Sequence, residues 1–333
     1  METVKSRLLA IEGRSMSCNV CRFLWFAVLP AVVLPSQALA QGIERPAAEP
    51  GISPDGSEIA FVSGGDIWTV PSTGGTAGLL VSHPAHESTP RFSPDGMQLA
   101  FSSDRTGNGD IYVLDFATGR VRRITYGDGA DQLDGWSFDS EWIYFTSNAE
   151  DIAGMNDVFR VRASGGTPMR VAGDRYLSEY FGAAGPDGAT LAISALGIGA
   201  GQWWRNGHSH IDESDIYLVN ISPVLEYRQF AGGGGKTLWP MWSADGQMLY
   251  FMSDRTGTEN LWRKSLTGGD EEQLTDFSSG RLIWPTISAA GNKIAFERDF
   301  GIWVFDTNTR RSSRVGVEFR GAVEQPVVEA KVF

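Results

Sequence analysis

Between Gly197 and Asp215 the chain carries GIGAGQWWRNGHSHIDESD, its densest run of chemically able side chains. Trp203, Trp204, Arg205, His208 and His210 stand together with Asp212 and Glu213 behind them, and they include two of the four histidines. Three uses of the set stay open. His208, His210 and Asp212 are imidazole and carboxylate donors of the kind that zinc or manganese takes, but H-x-H without a fourth ligand is a thin signal, and no metal site is expected. Trp203 and Trp204 could anchor an apolar segment while Arg205 meets a carboxylate, which would make this a peptide-binding loop. The tryptophan pair could equally pack a long hairpin over a neighbouring element.

The other candidates are weaker. His83 and His86 with Glu87 lie in SHPAHESTP, where Pro84 argues against a helix that would hold both rings on one face. The four glycines at Gly232–Gly235 lack the Lys-Ser/Thr of a phosphate loop and read as a flexible turn. Arg105 and Arg255 each sit in SDRTG and are expected to pair with acidic neighbours. Cys18 and Cys21 are spaced C-x-x-C but border an apolar leader, so no thiol chemistry is assigned. No G-x-S-x-G elbow occurs and the histidines suggest no triad, so no catalytic residue and no cofactor are assigned.

What must position these residues is a repeat. SPDG occurs at Ser53–Gly56 and Ser93–Gly96, with worn copies at Ser137–Ser140, Gly185–Gly188, Ser243–Gly246 and Ser288–Gly291. Its aspartates include Asp55, Asp95, Asp187 and Asp245. An apolar segment follows each turn (EIAFVS, QLAFSS, WIYFTS, TLAISA, MLYFMS, KIAFER), and a second opens on Asp66, Asp110, Asp157, Asp215, Asn260 or Gly301. Segments of about five residues, rich in β-branched and aromatic types and bounded by Gly, Pro, Asp and Asn, are strands. The repeated aspartates are expected to accept backbone N–H bonds in turns. Short four-stranded sheets bury both faces by stacking radially around an axis, which predicts an all-β, six-bladed propeller of four-stranded antiparallel blades over residues 49–318. Both ends of the chain supply their own strands, so ring closure is expected to rest on packing between blades.

The flanks are read separately. Arg22, the apolar run FLWFAVLPAVVL and the ending SQALA have the parts of a secretory signal peptide in residues 1–40, with cleavage near Ala40 and a true start at Met16. That run of 12 residues is short of the roughly 20 needed to span a bilayer, so no membrane insertion is expected. Residues 41–48 read as a linker, and 319–333 as a tail or truncated linker. The 333-residue chain carries 28 Lys+Arg against 40 Asp+Glu, a net charge of −12 that repels phosphate backbones, so nucleic acid is not an expected partner.

S-P-D-G-x-x-[IL]-A-F followed by D-I-[WY]-x-[VL] resembles the WD40-like (PD40) repeat of TolB-type propellers, from about Pro50 to Val317. The insert GQWWRNGHSHIDESDIYLV resembles the G-x-W-W-R insert in the first propeller of tricorn-like S41 serine peptidases, with Trp203, Trp204 and Arg205 on that family's Trp-Trp-Arg. GHSHIDES departs from the basic, glycine-containing stretch usual there. The resemblance implies a non-catalytic exported propeller that binds or gates peptides, periplasmic or extracellular, whose catalytic part is absent from this chain. Peptides or a protein partner, including a separately encoded peptidase core, are the implied partners. The alternative is a TolB-like scaffold for protein–protein interaction at the cell envelope.

Overall fold

The computed structural model describes residues 45–197, 204, 212–221 and 224–320. Among them there is no helix, and the strands form six four-stranded antiparallel blades plus one two-stranded pair. The first strand of each blade faces the common axis: Ala48–Ile52, Glu87–Phe92, Asp131–Trp136, Ser178–Ala184, Thr237–Trp242 and Ile283–Ile287. The second strand is buried on both faces, which is why its sequence reads as a near-continuous apolar run instead of an alternation. Its fourth residue is Phe61, Phe101, Phe145, Ile193, Phe251 or Phe296, none more than 2% exposed. Outermost strands such as Arg120–Arg123 are polar and face solvent.

Six hydrophobic clusters hold the ring, one at each interface between consecutive blades. Burial of each large apolar side chain contributes about 1.5–3 kcal/mol. The turn between the first two strands is self-capped. In blade 1, Ser53 Oγ donates to Asp55 Oδ1 at 2.7 Å, Ser57 N donates to the same oxygen at 2.9 Å, and Glu58 N donates to Ser53 Oγ at 2.9 Å. Gly56 takes φ 76°, a conformation open to glycine at little cost.

Every innermost strand is broken by a bulge at its centre. Glu49, Thr89, Phe181, Trp239 and Trp284 occupy five of these with φ between 47° and 58°. The bulge withdraws a backbone N–H from the ladder, and a side chain of the preceding blade receives it. Glu49 N donates to Glu297 Oε2, Thr89 N to Glu49 Oε2, Leu133 N to Ser102 Oγ, Gly182 N to Asp134 Oδ2 and Trp239 N to Ser194 Oγ, at 2.6–3.2 Å. The caps run in one rotational sense from blade 6 through blade 1 to blade 5.

Ring closure differs from the expectation of packing alone. Val317–Glu318 leaves blade 6 and pairs in parallel with Gly75–Thr76 of blade 1. Gly75 N donates to Gly316 O at 2.9 Å and Ala77 N to Glu318 O at 2.8 Å. The physical reason is in STGG: Gly74 and Gly75 have φ 90° and 135°, and a Cβ on Gly74 would stand 2.9 Å from Gly316 O. The glycine pair therefore lets the tail's backbone reach the first blade. Phe319, expected in the tail, packs on Phe61 and Trp68 at 6.1 and 5.2 Å between ring centroids, and the Arg45 guanidinium lies 5.4 Å from the Phe319 ring.

Candidate functional site

Trp204 forms an exposed turn on the face where innermost strands begin, and its carbonyl accepts a hydrogen bond from Arg281 Nη1. Trp203, Arg205, His208 and His210 lie outside the described residues. Asp212 is buried, and its Oδ1 has no hydrogen-bond partner.

The repeated aspartates fall into two sets. Asp55, Asp95, Asp187 and Asp245 accept N–H and hydroxyl bonds within their own turns. Hydrogen bonds from the Ser53 side chain, then from Ser57, pull the Asp55 carboxyl down to about 2. Asp66, Asp110, Asp157 and Asp215, at the start of third strands, reach beyond the local hairpin. Asp66 accepts His83 N and Asp215 accepts Gln229 Nε2 and Gly233 N, at 3.3, 2.6 and 3.0 Å. Asp110 pairs with Arg123 at 2.8 Å and Asp157 with Arg170 at 3.1 Å. These tie the third strand to the outermost strand and to the exit from the blade. Arg105 pairs with Glu87 at 2.8 Å, and Arg255 pairs with Glu271.

None of those residues lines the cavity on the axis. That cavity, of about 180 Å³, takes its walls from all six innermost strands. Pro54, Pro94, Phe138 and Ala289 of the turns form its rim, and Phe92, Trp136, Met241 and Trp242 line its sides. Phe181 and Trp239 stand at its base, 5.0 Å apart between ring centroids, with Trp284 5.9 Å from each. Blades 4, 5 and 6 thus give the axis an aromatic side.

Blades 1, 2 and 3 give it a charged one. Arg91 enters the cavity and donates through Nη1 to Pro90 O at 3.0 Å and Pro50 O at 3.4 Å. Gly51 permits this crossing, since a Cβ there would sit 2.0 Å from the Pro90 carbonyl oxygen. Asp134 accepts Thr146 Oγ1 at 2.8 Å and Gly182 N at 3.0 Å on Oδ2, while its buried Oδ1 has no hydrogen-bond partner. Burial pushes the Asp134 carboxyl up to about 7, and it pulls the Arg91 guanidinium down to about 10. Burial also raises Glu49, and lifts Glu297, the cap of the Glu49 amide, to about 7. The site is an apolar cleft with a guanidinium and a readily protonated carboxyl at its base, an arrangement suited to binding a chain end or side chain.

The sequence contained a signal for this site that the repeat alignment left unused. Four residues before the first residue of each turn stand Glu49, Thr89, Leu133, Phe181, Trp239 and Trp284. Leu133, Phe181 and Trp239 of this set line the cavity, and the position two residues further on, Gly51, Arg91, Gly135, Ala183, Met241 and Thr286, lines it in every blade.

A family model for the tricorn protease N-terminal beta propeller domain matches residues 44–311. Tricorn protease homolog 1 of Streptomyces coelicolor is 27% identical over 281 residues, which are 80% of this chain and 24% of that protein. The chain therefore spans about a quarter of the length of that relative. The crystal structure of the tricorn protease matches with a TM-score of 0.68 at 20% identity, over 85% of this chain and 27% of that one. The structure of a putative TolB from Agrobacterium tumefaciens matches with a TM-score of 0.58 at 24% identity, over 72% of this chain and 83% of that one. At these identities the solved structures speak to the fold.

Proposed function

The chain belongs to the family of the tricorn protease N-terminal beta propeller domain, and from that premise we propose that it is a non-catalytic propeller that receives peptides in its axial cavity. The observation that carries this reading is the convergence of all six innermost strands on one apolar cavity with a single guanidinium at its base. A cavity of about 180 Å³ takes a chain end or a side chain, not a folded domain. The role is then to position or gate peptides for a partner, including a separately encoded peptidase core. Export fits the leader expected in residues 1–40, and no helix among the described residues is long and apolar enough to cross a membrane.

Isothermal titration of the purified chain with short apolar peptides tests this. One site per chain is expected, and Phe138→Ser at the rim is expected to weaken it several-fold. Peptide hydrolysis that vanishes on replacing one of the chain's own serines, or an absence of peptide binding, would overturn the proposal. A second reading, a scaffold for a protein partner at the cell envelope, draws on the exposed Tyr126, Ile152, Tyr176, Trp204 and Phe300, which lie on the face away from the rim. Substitutions there, and not in the cavity, would abolish the interaction on that reading.

A further inference from the structure

We propose that the axial cavity recognises the free carboxylate at the end of a peptide whose last side chain is apolar, with Arg91 as the carboxylate receptor. This rests on the peptide reading above and names the part of the peptide that is read. Arg91 spends one nitrogen, Nη1, on two backbone carbonyls. Among the described residues no acceptor takes Nε or Nη2, so this cavity-lining guanidinium keeps donors unspent. The guanidinium is half-buried and attracted only at a distance by Glu49 and Asp134, and a bidentate carboxylate would satisfy its remaining donors in charge and in geometry.

The surroundings select among anions. Asp134 and Glu49 lie beside Arg91, so a dianion such as a phosphate would add a second charge against two carboxyls. A monoanion meets less opposition, because burial keeps Asp134 largely protonated below about pH 7. Phe92, Trp136, Phe138, Phe181, Trp239 and Met241 line the same cavity and suit an apolar side chain next to the carboxylate. The donor edge is also rigidly aimed: Trp136 Nε1 donates to Arg91 O at 3.0 Å, and both carbonyls on Nη1 belong to prolines.

The experiment titrates the whole chain with three probes: a tetrapeptide ending in phenylalanine as the free acid, the same tetrapeptide as its C-terminal amide, and hydrocinnamate. The free acid should bind, and the amide about 10- to 100-fold more weakly, the range expected for losing a charge-assisted pair. Arg91→Gln should erase the difference between acid and amide, and Arg91→Lys should restore part of it. Equal binding of acid and amide would overturn the inference while leaving peptide binding intact. Hydrocinnamate binding as tightly as the tetrapeptide would assign the carboxylate to a small acid and overturn the chain-end assignment. Failure of all three probes would sink both this inference and the peptide reading. The acid–amide comparison uses the unaltered chain, so it stands even if the Arg91 variants fold poorly.

Discussion

At the scale of single residues, the axis concentrates carboxyls that hold their protons unusually late. Asp134, Glu179 and Glu297 are each pushed to about 7, first by burial. Glu179 keeps that state although Tyr227 Oη donates to it at 2.7 Å and Asp174 N at 2.9 Å. In the unfolded chain such groups titrate near pH 4. Between about pH 4 and about pH 7 the folded protein therefore holds more protons than the unfolded one. Stability contributed by these groups is full below about pH 4 and is lost as pH rises through about 7, at up to about 1.4 kcal/mol per pH unit for each group. The turn aspartates act in the opposite direction: hydrogen bonding depresses Asp55 to about 2, so its contribution is lost only in strong acid. Thermal midpoints should consequently be higher at pH 5 than at pH 8. Asp134→Asn keeps an acceptor for Thr146 and Gly182 and should flatten the slope, matching the parent near pH 4 and gaining on it progressively up to about pH 7. Parallel melting profiles for the two proteins from pH 5 to pH 8 would refute this assignment.

At the scale of elements, the bulged innermost strand is the part that makes a generic blade into a site. Holding Thr89 or Trp239 at positive φ costs about 1–2 kcal/mol each, which the borrowed acceptor from the blade before helps to offset. Ser102→Ala and Ser194→Ala should each lower the unfolding free energy by about 1–3 kcal/mol, because each leaves a buried N–H without an acceptor; urea denaturation reads this directly. No loss in either variant would mean that the bulge amides find other partners. The strand order of each blade was legible in the sequence because its causes are local: SPDG caps itself, and EIAFVS or QLAFSS is apolar because neighbouring blades cover both faces. The site was not legible for the converse reason. Glu49, Thr89, Phe181, Trp239 and Trp284 are unremarkable as a sequence, and only closing the ring brings them within reach of one another. Arg91 likewise reads as an ordinary strand residue in TPRFS until the ring brings the backbone before it against Gly51 of the preceding blade. The run from Trp203 to His210, where sequence pattern concentrated attention, lies outside the described residues apart from Trp204.

At the scale of the whole molecule, the ring is held by packing at every interface and by a latch at one. Truncation after Arg314 removes the Val317–Glu318 pairing and the Phe319 packing. The expected loss is about 2–5 kcal/mol, from the half-buried Phe319, the buried Val315 and two backbone hydrogen bonds. Hydrogen exchange should quicken first in blades 1 and 6 and leave blades 3 and 4 protected; uniform exchange across all six blades would argue that the latch carries no weight. The contact of Arg45 with Trp68 and Phe319 has a topological consequence as well. The chain enters and leaves the ring through one doorway, so the propeller is a closed loop in all but one covalent bond. A circular permutant that joins residue 319 to residue 45 through a short glycine linker, and opens instead at an exposed turn, should fold to the same ring. By the same geometry, sequence fused at either point is tethered to the same edge of the propeller, which gives a fused partner one fixed approach to it.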